Sequence, residues 1–296
     1  MKITNKLNLP EPFVSAVTRE YQYKDKQYSA TAINGGTCEA ILKRRHNDEI
    51  EQDVSDMIWL IFGTAVHSVL ENAQETVDQL KENKIVVEIF DGYKLSGIFD
   101  LYDDSTGTVT DYKTASVWKV IHNDWNDYRQ QTLIYVWMLR KIGFTNAHRG
   151  EIVAMLKDHS KTKAKTDSSY PQNPAFKIGW DFTDKDLKSV EEFIMAKFSE
   201  IEICESVSDD QLPPCSPAER WREETVYAVM KEGRKSAVKK CDSREEAEER
   251  VANLGAKHYV QERLGRDKKC DEYCTVNKWC PYYKRKMEDL NGGNEE

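Results

Sequence analysis

Apolar and polar positions alternate along this chain in a definite succession of periods. In residues 56–82, Val66, Leu70, Ala73, Val77 and Leu80 recur at three- and four-residue steps behind a start signal at Ser55 and Asp56, so the spacing predicts one long helix. The period then changes. An Ile-Val-Val-Glu-Ile-Phe run from Ile85, the turn pair Asp91 and Gly92, and alternation from Tyr93 to Asp103 predict a hairpin. A second hairpin follows, because residues 93–103 and 107–113 alternate on either side of an Asp-Ser-Thr-Gly cluster. Residues 125–142 are an amphipathic helix with Leu133, Val136, Trp137 and Leu139 on its buried side, and residues 149–157 are a strand. Residues 158–174 are polar and basic and read as a long loop. Residues 176–182 form a strand, and Thr183 and Asp184 start a helix through Leu187, Val190, Ile194, Phe198 and Ile201.

Toward the ends the pattern is shorter. Residues 28–46 read as a turn at Asn34 to Thr37 and a short helix. Pro213 and Pro214 mark a boundary, after which residues 225–231 and 235–241 predict a hairpin, 243–254 a charged helix and 258–263 a strand. Three segments result: a main domain over 1–210, an accessory β-β-α-β subdomain with a cysteine-rich segment over 211–287, and an acidic, disordered tail over 288–296.

The second hairpin carries the candidate chemistry. Centring its turn on Ser105 and Thr106 sets Asp100 across from Asp111, and like charges in that position repel. Val109, Asp111 and Lys113 share one face of the second strand. A divalent cation is the simplest compensation for the two acids. Two carboxylates and an ammonium then match metal-assisted phosphodiester hydrolysis, in which the metal activates water and clamps the scissile phosphate. A solvated surface hairpin is the plain alternative for an Asp-x-Lys tripeptide taken alone. Glu88, on the preceding strand, is either an acid behind the metal or a surface residue.

Charge narrows the field. Lys+Arg 43 against Asp+Glu 51 give a net charge of -8, which argues against a protein that coats nucleic acid indiscriminately. Local basic clusters at residues 43–46, 157–165, 234–240 and 284–286 remain available for phosphate contacts. No apolar run approaches the ~20 residues of a membrane span, and residues 1–10 have no leader pattern, so the expectation is a soluble, cytoplasmic protein that does not engage a membrane.

Seven cysteines without a leader point to thiolate ligation rather than disulfides. Cys270, Cys274 and Cys280 lie in one polar segment and present three thiolates to a single centre, which needs a fourth. Cysteine-only coordination fits tetrahedral zinc or a four-iron cluster, and spacing does not choose between them.

Four motifs stand in order: Gly63-Thr64-Ala65-Val66-His67, Gly97-Ile98-Phe99-Asp100, Asp111-Tyr112-Lys113, and Gln131 with Tyr135 one turn later. Over residues 28–135 this ordered set resembles the PD-(D/E)xK nuclease superfamily, and within it the RecB-like branch that includes AddB and the CRISPR-adaptation nucleases with an iron-sulfur cluster. The third motif departs from Glu-x-Lys, a variation that branch uses. The resemblance implies a restriction-endonuclease-like α/β fold: a mixed-sheet core of order α-β-β-β-α-β, helical additions and a small C-terminal α+β subdomain. It implies that His67, Asp100 and Asp111 bind Mg²⁺ or Mn²⁺ with the carbonyl of Tyr112. Lys113 would assist the attacking water, and Gln131 and Tyr135 would orient substrate.

The implied activity is that of a metal-dependent deoxyribonuclease, an exonuclease or end-processing enzyme of phage type. It would act on single-stranded DNA or DNA ends beside recombination, repair or replication proteins. A non-catalytic DNA-binding scaffold with the same fold is the alternative. For the cysteines the resemblance chooses a 4Fe-4S cluster over zinc. AddB-like relatives nominate Cys38 as the fourth ligand; a phage-type Pro-Pro-Cys-x-x-x-Glu-Arg-Trp setting, matched by residues 213–221, nominates Cys215 and puts it ahead. Cys204 and Cys241 read as structural.

Overall fold

The computed structural model describes residues 1–18 and 22–292. The chain divides into two compact units, Met1–Ser208 and Asp209–Glu296.

The first unit opens with β1 (Lys2–Thr4), α1 (Glu11–Val17), β2 (Gln27–Ser29), α2 (Ala30–Ile33), α3 (Thr37–Arg45), β3 (Glu51–Asp53) and α4 (Ile58–Glu71). It continues through β4 (Gln79–Phe90), β5 (Tyr93–Asp103), β6 (Thr108–Ala115), α5 (Val117–Ile121), α6 (Asn126–Lys141), β7 (Arg149–Leu156), α7 (Lys161–Thr166), β8 (Ala175–Asp181) and α8 (Asp184–Ser206). The succession α4, β4, β5, β6, α6, β7 is the expected α-β-β-β-α-β core, with α5 inserted. Six strands form a mixed sheet in the order β2-β5-β6-β7-β8 with β4 on β5. The restriction-endonuclease-like α/β class read from the sequence is the observed one.

One feature of this sheet prepares the site. β4 pairs with β5 along nearly its whole length, while the other edge of β5 is shared: β2 takes residues 94–96 and β6 takes residues 101–103. Among the described strands, none pairs with residues 97–100 on that edge. The β5–β6 pairs Leu101 to Thr110, Tyr102 to Val109 and Asp103 to Thr108 follow the expected register, and the two strands part just where Asp100 and Asp111 would meet.

Both hairpin turns are local chemistry. Asp91 (φ 45°) and Gly92 (φ 80°) turn β4 into β5, and Gly107 (φ 62°) closes the turn into β6. Helix α6 buries Leu133, Ile134, Val136, Met138 and Leu139, and packs on the sheet and on α8. Each such side chain stabilises the fold by about 1.5–3 kcal/mol. Helix α8 starts from a reciprocal cap in which Thr183 and Asp186 satisfy each other's backbone N–H groups.

Three expectations change. The helix predicted over 56–82 ends at Glu71, and residues 79–90 are strand. There the Asn72 side chain bonds back to the Ser68 carbonyl and the Lys81 ammonium takes the Glu71 and Ala73 carbonyls, while β4 gains a full backbone ladder on β5. Tertiary pairing outweighs the local spacing. The loop over 158–174 contains α7, capped by Ser160. Finally, Val54–Glu71 reaches the length and apolarity of a weak membrane-span candidate, although it carries His67 and packs on β6.

The second unit holds β9 (Val226–Lys231), β10 (Lys239–Cys241), α9 (Arg244–Leu254), β11 (His258–Arg263), α10 (Lys268–Glu272) and α11 (Pro281–Gly292). An antiparallel sheet β10-β9-β11 packs on α9 around Val229, Cys241 and Ala247. Residues 288–292, read as the start of a tail, lie in α11, and residues 293–296 lie outside the described residues.

Candidate active site

Where β5 and β6 part, the carboxylate of Asp100 fills the gap. Its Oδ2 accepts a 2.6 Å hydrogen bond from the Tyr112 backbone N–H, so a side chain replaces the missing ladder contact. Its Oδ1 lies 3.2 Å from His67 Nδ1, and Glu82 Oε1 is 3.7 Å from the same nitrogen. His67, Glu82 and Asp100 offer donor atoms that all lie within 4.8 Å of one another. Glu82 reaches this position from a residue with φ 50°, a backbone conformation that non-glycine residues rarely adopt.

Asp111 lies beside this trio. It is 2% exposed, and its Oδ2 is held in a close ion pair by the Lys113 ammonium. Burial pushes its pKa up; Lys113 opposes that shift, while the nearby Asp100 carboxylate reinforces it. His67 is shifted up too, first by its hydrogen bond to Asp100 and against the effect of burial. Burial raises Glu82, and Asp100 adds to the rise. Acids thus outnumber cations here. Among the described residues, three carboxyls and an imidazole gather beside one ammonium, which is committed to Asp111. That donor set, oxygen-rich with one neutral nitrogen, fits a hard divalent cation.

The remaining predicted residues form the wall. Gln131 donates to the Tyr135 hydroxyl at 3.3 Å, and the Tyr135 ring, 3% exposed, packs over Gly97. A Cβ at position 97 would lie 2.6 Å from Tyr135 Cε1, which explains the glycine of the second motif. Tyr112 enters the site through its amide, and its carbonyl leaves β6 by the same edge. Glu71 stays on α4 outside the trio, and Glu88 lies on β4 paired with Lys94 across the ladder. Glu82 is the residue sequence reasoning missed.

The cysteine segment is built differently. Burial pushes the Cys270 thiol up to about 12, and Cys274, Asp267, Cys280 and Cys215 reinforce the rise, so four thiols of the second unit act on one another. Arg220 ties them: its Nη1 donates to the Cys215 carbonyl at 2.6 Å and its Nε to Asp267 Oδ1 at 3.1 Å, while the Lys269 N–H bonds the Arg220 carbonyl. Asn277 Nδ2 donates to the Cys270 carbonyl at 2.9 Å. Asp267 is fully buried; burial alone would raise its pKa, but the Tyr282 hydroxyl, Arg220 and Lys286 outweigh this and hold the carboxyl below its ordinary range. Cys38 belongs to the first unit, on α3, where it is buried.

Among proteins of curated function, none matches the chain. Among solved structures, the chain is similar to "SSO0001" at 17% identity and a TM-score of 0.41, covering 60% of this chain and 79% of that one. It is similar to an alkaline exonuclease (LHK-Exo) from Laribacter hongkongensis at 12% identity and a TM-score of 0.36, covering 66% and 93%. A phage-related exonuclease from Haemophilus somnus 129PT matches at 10% identity and a TM-score of 0.34, covering 63% and 98%. The profile of the PD-(D/E)XK nuclease superfamily matches residues 81–281, more than half of the sequence and including Asp100, Asp111 and Lys113. The chain belongs to the PD-(D/E)XK nuclease superfamily.

Proposed function

We propose that this chain is a divalent-metal-dependent deoxyribonuclease that works on single-stranded DNA or DNA ends. The carrying observation is the charge imbalance at the parted β5–β6 edge, where His67, Glu82 and Asp100 bring donor atoms within 4.8 Å of one another and Asp111 beside them pairs with Lys113. His67, Glu82, Asp100 and Asp111 would hold Mg²⁺ or Mn²⁺, with the Tyr112 carbonyl on the same edge. When bound, the ion supplies Lewis-acid polarisation of the scissile phosphate and activation of water. The chain's own groups do the rest. Lys113, held by Asp111 and 5.3 Å from the Tyr128 ring centre, orients the attacking water or receives developing charge. The hydrogen bond between His67 and Asp100 fixes the imidazole and favours its protonated form, so His67 would hold the ion in its neutral form. Gln131 and Tyr135 shape the wall against which the strand lies.

Cys215, Cys270, Cys274 and Cys280 are proposed as ligands of a 4Fe-4S cluster, with zinc as the competing occupant, and the mutual effect of these thiols supports Cys215 over Cys38. Such a cluster joins the 215 loop to the 270–280 segment inside the second unit as a staple. Recombination, repair or replication in a phage or mobile element is the proposed setting.

The test is cleavage of end-labelled single- and double-stranded DNA with Mn²⁺, Mg²⁺ or neither, for wild type, Asp111→Asn and Lys113→Ala. Metal-dependent cleavage by wild type and none by either variant is the expected result. Cleavage that survives in both variants refutes the assignment. Brown colour in anaerobically purified protein separates iron from zinc.

A further inference from the structure

Helix α4, which carries His67, and helix α5, which follows β6, expose large apolar side chains. Trp59 is 62% exposed and Trp118 57% exposed, and α4 has no buried residue. Lys157 links the two helices: its ammonium lies 3.9 Å over the Trp59 ring, and its backbone N–H bonds the Ala115 carbonyl at the end of β6. The next residue, Asp158, holds the first turn of α5, accepting hydrogen bonds from Ser116 Oγ and the Val117 N–H. Between α5 and the α7 segment lies a recess of ≈ 610 Å³ whose lining includes Trp118, Ile121, Lys163 and Tyr170. Two carboxylates also line it, but both are turned onto donors of their own: Asp158 as described, and Asp167 onto the N–H and hydroxyl of Ser169.

The recess lies at the end of the strand that carries Asp111 and Lys113. Strand β6 runs from Asp111 and Lys113 directly into α5, and Tyr128 is flanked by the Lys113 ammonium at 5.3 Å and the Lys119 ammonium of α5 at 4.3 Å. Exposed indole rings with ammonium groups close by, Lys157 over Trp59 and Lys163 in the same recess lining as Trp118, suit a chain of bases and phosphates, because every base offers a π-face and every linkage a negative charge. A duplex keeps its bases stacked inside and offers the rings nothing. We infer that the recess between α5 and α7, with the Trp59–Lys157 pair at its rim, seats a nucleotide flanking the scissile bond of a single DNA strand. Trp118 stacks on the base, and Lys157 and Lys163 take the phosphates on either side. This rests on the nuclease reading and narrows it to the strand state of the substrate.

The test uses the full chain with Asp111→Asn, which silences cleavage, and an oligothymidylate of about eight nucleotides followed by tryptophan fluorescence. Adding Trp118→Ala and Lys163→Ala, both exposed positions, should weaken binding about tenfold or more, whereas Trp118→Phe keeps most of the affinity. A blunt duplex of equal length should respond far less. Unchanged affinity in the alanine variant overturns the inference, as does an equal loss for duplex and single strand. Binding of anionic phosphatidylglycerol vesicles that depends on Trp59 and Trp118, with no such dependence for the oligonucleotide, also overturns it and makes the apolar face a lipid surface. Wild-type cleavage of the same oligonucleotide reports separately on the nuclease reading: absent cleavage with Trp118-dependent binding sinks that reading alone, and cleavage with Trp118-independent binding sinks this one alone.

Discussion

Asp111 and Asp267 are both sealed from solvent, at 2% and 0% exposure, and the protein treats them in opposite ways. Asp267 is surrounded by partners: Arg220 at 3.1 Å, Arg222 at 3.6 Å, Lys286 at 3.5 Å and the Tyr282 hydroxyl at 2.8 Å. Asp111 has one ammonium, on its Oδ2, and a neighbouring acid that reinforces the rise of its pKa. A buried charge with its partners supplied is part of the framework, and removing it leaves other charges stranded. A buried charge left short of partners lowers stability, and a chain keeps one where a diffusible cation completes it. Burial alone therefore does not distinguish framework from chemistry; the balance of neighbouring charge does.

The largest effect that tests this contrast is on activity. Asp111→Asn and Lys113→Ala should each lower metal-dependent cleavage by about 10²–10⁴-fold or more, read from initial rates on labelled DNA. Asp267→Asn should leave the acid site's residues in place while melting the second unit, at a cost of about 3–5 kcal/mol seen in denaturant unfolding. If Asp267→Asn is as stable as wild type, the network around Arg220 is not a framework and the comparison collapses. Replacing Cys274 and Cys280 together by Ser should likewise loosen the second unit and lower its content of the proposed iron or zinc, measured by metal analysis.

Glu82 sharpens the acid side. Glu82→Gln should weaken Mn²⁺ binding about 10-fold or more, read by calorimetry, with little change in melting temperature. Wild-type affinity in that variant would return Glu82 to the status of a neighbour. Gly97→Ala is a packing test: the added methyl meets Tyr135 Cε1 at 2.6 Å, and the expected cost is about 1–3 kcal/mol. An unchanged melting curve would show that the Tyr135 wall yields.

Much of this was legible because turns fix register. Asp91 with Gly92 and the Ser105–Thr106 turn each force a hairpin, and a hairpin dictates which residues face one another. Asp100 and Asp111 followed from that geometry. Glu82 did not. Residues 79–84 are mostly polar and extend a helical spacing set by Val66 and Leu70, so nothing local marks them as strand. Their conformation comes from the exposed backbone of β5, and only after that pairing does Glu82 stand opposite Asp100. The short helices α5 and α7 were missed for a related reason: each is one turn or so, signalled by a single serine cap at Ser116 or Ser160. The cysteine segment groups three thiols by spacing alone, but Cys215, the proposed fourth ligand, lies before a whole subdomain, and its reach to Cys270 is tertiary.

The smallest expected effect bears most directly on the opening contrast, because it has a sign. Asp267 has a folded pKa held below its unfolded value, so its stabilisation is full above about pH 3.9 and is lost as pH falls through the depressed value. Asp111 has a folded pKa raised above its unfolded value, so it costs stability at neutral pH, and that cost disappears as pH falls from the raised value toward about 3.9. Without added divalent ion, Asp111→Asn should therefore melt a few degrees above wild type near neutral pH, and the gap should close on acidification. Added Mn²⁺ should raise the wild-type melting temperature and leave the variant nearly where it was, since the cation supplies the positive charge that a single ammonium does not match. A gap independent of pH, or one that widens as pH falls, would mean that Asp111 is as well partnered as Asp267 and that the acid site has no unfilled demand for a cation.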